Sequence, residues 1–181
     1  MPINQNKKKL LIIIATVVIA AAGAIPIYRI YSTPPAYTGP IPMPVQTTTL
    51  KDSSVVWLQK DTRITPVDGF PQKRQLTVDG DAFLDVADEP TPLIINTRLL
   101  QLTVQGKASF RVIAFSKEDG EEVQVISGNI LVDKNYESPF NEQDTLHNSQ
   151  MVMINKTIDL MEKEKFDATD LTAWRAVQHK P

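Results

Sequence analysis

The sequence predicts an all-β fold, an antiparallel sandwich or roll of about ten short strands with a short C-terminal helix, preceded by one transmembrane helix. The observations behind it are one long apolar run, one proline-rich stretch, and many short β-branched and aromatic runs separated by turn dipeptides. Short strands at close spacing are typical of sandwiches and rolls. Long helices do not alternate with these runs, so a βαβ architecture is not expected.

The transmembrane helix is predicted over residues 10–31. The uninterrupted apolar run Leu10–Ile27 would span roughly 27 Å as a helix, close to the thickness of a bilayer's hydrocarbon core. Three lysines precede this run, and the positive-inside rule keeps them in the cytoplasm. Residues 1–9 are therefore predicted to be a cytoplasmic tail. The chain is predicted to be a single-pass membrane protein whose C-terminal domain is exported.

A cleaved signal peptide is the alternative interpretation of this segment. Ala20, Ala22 and Ala24 supply the small residues that a signal peptidase requires. The apolar run continues past them to Ile27, and Tyr28 follows where an interfacial aromatic belt is expected, which favours an uncleaved anchor. Both interpretations predict export of the remaining residues.

Residues 32–49 are predicted to be a linker, and residues 50–181 the exported β domain. The linker contains five prolines, and prolines favour an extended, semi-rigid chain. Strands are expected near Val55–Leu58, Arg63–Val67, Arg74–Val78, Ala82–Val86, Leu93–Asn96, Leu100–Val104, Ser109–Phe115, Glu122–Ile126, Ile130–Asp133 and Met151–Asn155. Glycines 80, 106, 120 and 128, each preceded by a polar residue, are expected to supply the positive φ angles of hairpins and bulges.

The end of the domain has a different pattern. Lys156–Phe166 is charged and fits neither strand nor helix clearly. Asp167 or Thr169 is suited to cap the start of a short helix, because each can accept a hydrogen bond from a free amide. Leu171 and Trp174, three residues apart, would share one helix face and pack on the sheet.

Composition excludes several classes of function. The exported part keeps 15 of the 19 basic residues against all 21 acidic ones, an excess of six negative charges, which argues against nucleic acid as a partner. The chain has no cysteine, so disulfides, thiolate nucleophiles and Cys-ligated metal sites are excluded.

Five segments occur in order along the predicted domain: Leu50–Ile64, Gln75–Ala87, Pro92–Thr97, Val123–Val132 and Asp170–Arg175. Together they resemble the periplasmic domain of the FecR family, membrane-spanning regulators of sigma factors. The resemblance implies a single-pass protein of the bacterial inner membrane with its C-terminal domain in the periplasm. The resemblance implies a scaffold for recognition without a chemistry of its own, with Gly80 and Gly128 at backbone turns and with Trp57 and Trp174 as apolar plugs.

The resemblance also limits the expected function. Regulators of this family have a cytoplasmic helical domain that binds the sigma factor, and a docking module after the final Trp-Arg pair. Residues 1–9 are too short for the first, since even an isolated helix requires about 12–15 residues. We therefore expect a protein-binding or signalling accessory of the cell envelope, partnered with a transporter or regulator and not itself a sigma-factor binder. The alternative is a structural, self-associating envelope protein without a signalling role.

Enzymatic, cofactor and metal sites are not expected, and no small-molecule substrate is evident. The two histidines, His147 and His179, lack metal-ligand spacing, and His147 is interpreted as a loop residue. Neither Ser53-Ser54 nor Ser127-Gly128 has the elbow motif of a nucleophilic serine.

A group of acidic residues is a further candidate site. Alternation would place Asp79, Asp81 and Asp85 on one strand face, where three carboxylates could bind calcium or act as an acid/base pair. Asp88 and Glu89 follow closely. A solvated strand face or a turn is the favoured interpretation. The run Glu118–Glu122 is interpreted as a charged hairpin tip, and the two tryptophans as core residues in preference to a carbohydrate or partner surface.

Overall fold

A computed structural model describes residues 46–140, 142–169 and 171 of the chain. Twelve strands occur in these ranges. They are β1 (Gln46–Thr49), β2 (Val55–Leu58), β3 (Arg63–Pro66), β4 (Gln75–Val86), β5 (Leu93–Asn96), β6 (Leu100–Val104), β7 (Ala108–Ala114), β8 (Gly120–Ser127), β9 (Ile130–Lys134), β10 (Gln143–Leu146), β11 (Gln150–Asn155) and β12 (Leu160–Lys165).

The strands form two sheets that share β4. Sheet A has the order β1-β2-β4-β7-β8-β11-β12, and sheet B has the order β3-β4-β5-β6-β9-β10. Every described pairing is antiparallel except that of β4 with β5. The predicted all-β architecture is confirmed.

The strand β4 joins the sheets by bending at Gly80. Its first half pairs with β3 and β5, and its second half pairs with β2 and β7. Gly80 has φ +125°, and a Cβ there would lie 2.6 Å from the Thr62 Cα, so a larger residue would collide with backbone. The prediction of two strands separated by a turn at Asp79-Gly80 is wrong, because this glycine serves a bend within one continuous strand.

The main core lies between the two sheets. Its largest fully buried side chains include Phe110, Leu76 and Leu84. A second, smaller cluster lies on the outer face of sheet A, where Trp57 and Phe83 meet edge to face with ring centroids 5.6 Å apart and Leu171 packs against them. Trp57 and Leu171 are thus core residues, as predicted.

Three strands were not predicted from the sequence. β1 falls within the predicted linker, β10 within an unassigned polar stretch, and β12 within the ambiguous Lys156–Phe166 segment. Positive φ angles occur at Gly80, Gly106 and Gly128 as expected, but Gly120 has none because it is paired with Asn155 in the sheet.

The ends of the chain are described in part. Thr169 and Leu171 are helical, and the Asp167 carboxylate accepts a hydrogen bond from the Thr169 amide at 2.9 Å, as expected of a capping residue. Trp174 and the remainder of the predicted C-terminal helix lie outside the described residues, as does the predicted membrane helix at 10–31. Across the described ranges, no helix combines the length and the apolarity that a membrane span requires.

Candidate binding surfaces

The outer face of sheet A contains a buried ion pair between β4 and β7. Arg111 donates from Nε to Asp81 Oδ1 at 2.8 Å and from Nη2 to Asp81 Oδ2 at 2.6 Å. Both residues are buried. Alternation correctly places Asp81 opposite the core-facing side, but the expectation that this side is solvated is wrong. A bidentate ion pair of this kind offsets the desolvation cost of a buried carboxylate.

Glu122 and Gln124 lie beside this pair on β8. Burial raises the pKa of Glu122, and the neighbouring Asp81 charge raises it further, while the Gln124 hydrogen bond and the Arg111 charge act in the opposite direction. The Asp81 and Glu122 carboxylates therefore both interact electrostatically with the Arg111 guanidinium. Of these two carboxylates, Glu122 lies in the environment less favourable to a negative charge, because the Arg111 guanidinium bonds directly to Asp81.

The other aspartates of the predicted acidic group are bound separately. Asp85 accepts a hydrogen bond from the Ser109 hydroxyl at 2.6 Å, and Asp79 accepts one from the Ser116 amide at 2.8 Å. Three different partners thus hold Asp79, Asp81 and Asp85. In the part of the chain that the structure describes, no three histidine, aspartate or glutamate side chains are grouped to hold a metal ion.

A second buried ion pair fixes the β1–β2 loop. Arg74 donates to Asp52 Oδ2 from Nε and Nη2 at 3.0 and 2.8 Å, and its Nη1 bonds the Thr91 carbonyl at 2.6 Å. Ser54 donates its hydroxyl to Asp52 at 3.0 Å and accepts from the Ala87 amide. Ser54 therefore belongs to the hydrogen-bond network that fixes this loop. Sequence reasoning missed this network, because its ion-pair partners lie 22 residues apart.

A third polar network surrounds Lys134 at the end of β9. The Lys134 Nζ lies 3.0 Å from Asp159 Oδ1 and 2.9 Å from a Glu142 oxygen. Tyr136 and Ser138 donate their hydroxyls to Asp159 at 2.6 and 2.7 Å. These hydrogen bonds lower the pKa of Asp159 to about 2, whereas burial and the bond to Asp159 raise the pKa of Tyr136 to about 12. Lys134 is therefore held as a paired cation, which is unsuited to nucleophilic chemistry.

Glu121 lies on the core-facing side of β8 and binds the β5–β6 turn. Its carboxylate accepts from the Leu99 amide at 3.1 Å and from the Thr97 hydroxyl. Burial raises the pKa of Glu121 in spite of these bonds. The run Glu118–Glu122 is therefore only partly the exposed hairpin tip that was predicted.

The histidine that the structure describes has no catalytic partner. His147 is exposed in the β10–β11 turn, as predicted, and its Nδ1 lies 2.7 Å from the Asn129 side-chain oxygen. His179 lies outside the described residues.

Two further surface features of the described residues are a groove and the sheet edges. The groove has a volume of about 350 Å³ and lies between the loops that follow β1 and β3, with Leu50, Lys51 and Phe70 among its walls. The far edges of the two sheets, β10 and β12, are joined by an ion pair between Asp144 and Lys163. At the opposite side, β1 ends sheet A with an exposed strand.

Comparisons with known proteins agree with this architecture. Residues 45–131 match the family described as FecR protein. Two crystal structures of a Parabacteroides distasonis protein, described as a "putative anti-sigma factor", are each 30% identical in sequence, with a TM-score of 0.62 over 72% of this chain. The present chain spans 59% of the length of those structures. No curated protein matches it. Residues 45–131 are therefore similar to the FecR family.

Proposed function

We propose that the chain is a membrane-anchored protein whose FecR-like domain acts in the periplasm as a protein-binding or signalling accessory. The observation that carries this proposal is the match of residues 45–131 to the FecR family, together with the similarity to a protein described as an anti-sigma factor. The partner would be another envelope protein, a transporter or a regulator.

The character of the domain's polar groups supports binding in preference to catalysis. Among the described residues, the buried charged side chains are engaged in ion pairs or hydrogen bonds, as at Asp81–Arg111 and Asp52–Arg74. Polar groups held in this way stabilise a rigid scaffold and leave binding to exposed strands and loops. An exposed strand edge can accept a strand of another protein through its main-chain groups.

The anchor and the orientation can be tested with single cysteines, because the chain has none of its own. A membrane-impermeant maleimide should label a Lys51→Cys variant in cells whose outer membrane has been permeabilised. An Asn6→Cys variant is the matched control, and it should be labelled only after the inner membrane is broken. Labelling of both residues in intact spheroplasts, or of neither, contradicts the proposed topology. The mass of the mature N-terminus distinguishes an anchor from a cleaved signal peptide.

Partner binding can be tested by photo-crosslinking in living cells. A photoreactive residue at Lys51, on the wall of the groove, should yield an adduct with an envelope protein, identified by mass spectrometry. The same residue at Gln143, on the far edge strand β10, is the control for random collision. Equal yields at the two positions, or no adduct above background, would contradict the proposed role. An adduct with only a second copy of the chain would favour the structural alternative.

We further propose that the chain does not itself bind a sigma factor. A bacterial two-hybrid assay of the full chain against the sigma factors of the host tests this directly. A reproducible signal with any of them would show that the chain is a regulator in its own right.

A further inference from the structure

Four strands end the two sheets in the described part of the chain, and β1 differs from the other three. β12 carries the charged run Glu162–Lys165, β3 carries Arg63 and Pro66, and β10 carries Asp144 in its ion pair with Lys163. Charges and proline are the usual means by which edge strands avoid pairing with other chains. β1 has the sequence Gln-Thr-Thr-Thr, which is uncharged and favourable for a strand.

The ladder between β1 and β2 determines which main-chain groups of β1 point away from sheet A. The Leu50 amide donates to the Ser54 carbonyl at 2.8 Å, so this pair is hydrogen-bonded. Directly opposite residues in an antiparallel ladder alternate between bonded and non-bonded pairs. Thr49 and Thr47 therefore belong to non-bonded pairs with Val55 and Trp57, while Thr48 is bonded to Val56. The amides and carbonyls of Thr47 and Thr49 point outward, where the described residues offer no partner.

We propose that a second copy of this chain pairs with β1 in antiparallel orientation, with Thr48 opposite its own equivalent. In this register Thr47 lies opposite Thr49 of the second copy, and Thr49 opposite its Thr47. The outward amides and carbonyls of both residues are then satisfied by four inter-chain hydrogen bonds. The two copies are related by a two-fold axis, so the assembly closes as a dimer.

The chemistry of β1 favours a second copy as the occupant. Self-pairing places no like charges opposite each other, and threonine pairs across strands are favourable. The register also places Gln46 of the second copy opposite Leu50, at a wall of the groove that Lys51 and Phe70 help to form. The second copy would thereby cover apolar surface of the half-buried Leu50 and Phe70 as well as pairing the strand.

The interface is small, so pairing is expected where copies are concentrated. Association costs rotational and translational freedom, and four neutral hydrogen bonds offset only part of that cost. Confinement to a membrane reduces this cost by raising the effective concentration. The pairing rests on the proposed membrane anchor but not on the proposed signalling role, and its test is carried out with the full chain in native membranes.

Disulfide trapping tests the register directly, because any disulfide must come from the introduced residue. Thr48→Cys should form a disulfide-linked dimer under mild oxidation, since opposed residues in non-bonded pairs have Cβ atoms at the short end of about 4.5–5.5 Å, close to the separation that a disulfide spans. Thr47→Cys is the matched control, because its equivalents would lie diagonally, about 7–8 Å apart, which a disulfide does not span readily. We expect at least fivefold more dimer from Thr48→Cys than from Thr47→Cys.

A second variant separates pairing from random collision. Thr47→Pro removes one outward amide and leaves the bond between Thr48 and Val56 in place, so the domain should fold with an unchanged circular dichroism spectrum. In the Thr48→Cys background it should abolish the trapped dimer. Dimer yields that are equal for the two cysteine variants, or unaffected by Thr47→Pro, would overturn the proposal. Trapping of Thr48→Cys only with a different protein would also overturn it.

Discussion

Both faces of sheet A bury side chains, but the buried side chains of the two faces differ in chemical character. The inner face presents apolar side chains to the main core, among them Leu84, Val112 and Val123. The outer face carries the Asp81–Arg111 ion pair beside the cluster of Trp57, Phe83 and Leu171. Strand alternation identifies which residues share a face, but it does not tell whether the polar face meets water. Here the polar face is covered as well.

This difference determines how each face contributes to stability. An apolar inner residue stabilises the fold roughly in proportion to the area that it buries. A buried ion pair has a large desolvation cost, so its members are favourable only together. The inner face should therefore tolerate conservative apolar exchange, whereas the outer face should respond strongly to the loss of a single charge.

The largest expected effect comes from breaking the ion pair of the outer face. Arg111→Ala leaves Asp81 buried without its partner and should reduce the free energy of unfolding by about 3–5 kcal/mol. This is comparable with the cost of about 2–5 kcal/mol expected for Leu84→Ala on the inner face. Urea denaturation of the exported domain measures both.

A double variant distinguishes the two faces. Arg111→Met combined with Asp81→Leu removes both charges and should recover most of the stability lost in Arg111→Ala, because apolar replacement of a buried pair is often neutral or better. A loss below about 1 kcal/mol for Arg111→Ala would mean that water reaches the pair, and the proposed contrast between the faces would fail.

A smaller effect is expected from removing the apolar cover of the outer face. Leu171→Ala deletes a buried side chain that packs on Trp57 and Phe83, and it should cost about 2 kcal/mol. The fluorescence of Trp57 should also change, because its ring would become more exposed. Ala168→Ser, a substitution close by in the same segment, is the control and should change neither. An unchanged stability of Leu171→Ala would show that the described C-terminal segment does not cover this face.

Local patterns in the sequence predicted several strands well and the partners of the buried charged residues poorly. The bounds of β2, β5 and β6 were predicted correctly, because alternating β-branched residues flanked by turn residues mark them. β12 was missed because its exposed Glu-Lys alternation carries no hydrophobic period, and β1 because its threonines follow a proline-rich stretch. Asp81 was expected on a solvated strand face or at a turn and Glu121 in an exposed hairpin tip, whereas both are buried in strands.

The partners of the outer-face residues are set by strand order, which short-range patterns do not encode. Arg111 lies 30 residues from Asp81, and Arg74 lies 22 residues from Asp52. Asp81 belongs to β4 and Arg74 immediately precedes it, and in each pair the other member comes from a distant segment of the chain. The FecR resemblance indicated the scaffold correctly, but a family pattern of glycines and apolar residues does not specify which charges meet.

The smallest effect concerns two neighbouring glutamates that lie on opposite faces of sheet A. Burial raises the pKa of both Glu121 and Glu122 above the ordinary value of 4.5. The native state therefore holds protons that the unfolded chain has already released, so each group lowers stability as pH rises through 4.5 toward its native pKa. Glu122→Gln, which cannot ionise, should show a smaller loss of stability between pH 4 and pH 7 than the wild type.

Glu121 supplies the matched comparison, since its carboxylate also binds the Leu99 amide at 3.1 Å. Glu121→Gln keeps a carbonyl oxygen for that amide and should likewise flatten the pH dependence, whereas Glu121→Ala leaves the amide unsatisfied and should cost about 1–3 kcal/mol at every pH. Glu122→Ala should lack this pH-independent cost, because Glu122 bonds the Gln124 side chain and no main-chain amide. If Glu121→Ala and Glu122→Ala lose the same amount of stability at every pH, the Glu121 carboxylate does not stabilise the Leu99 amide. A buried carboxylate would then have the same effect on both faces of sheet A.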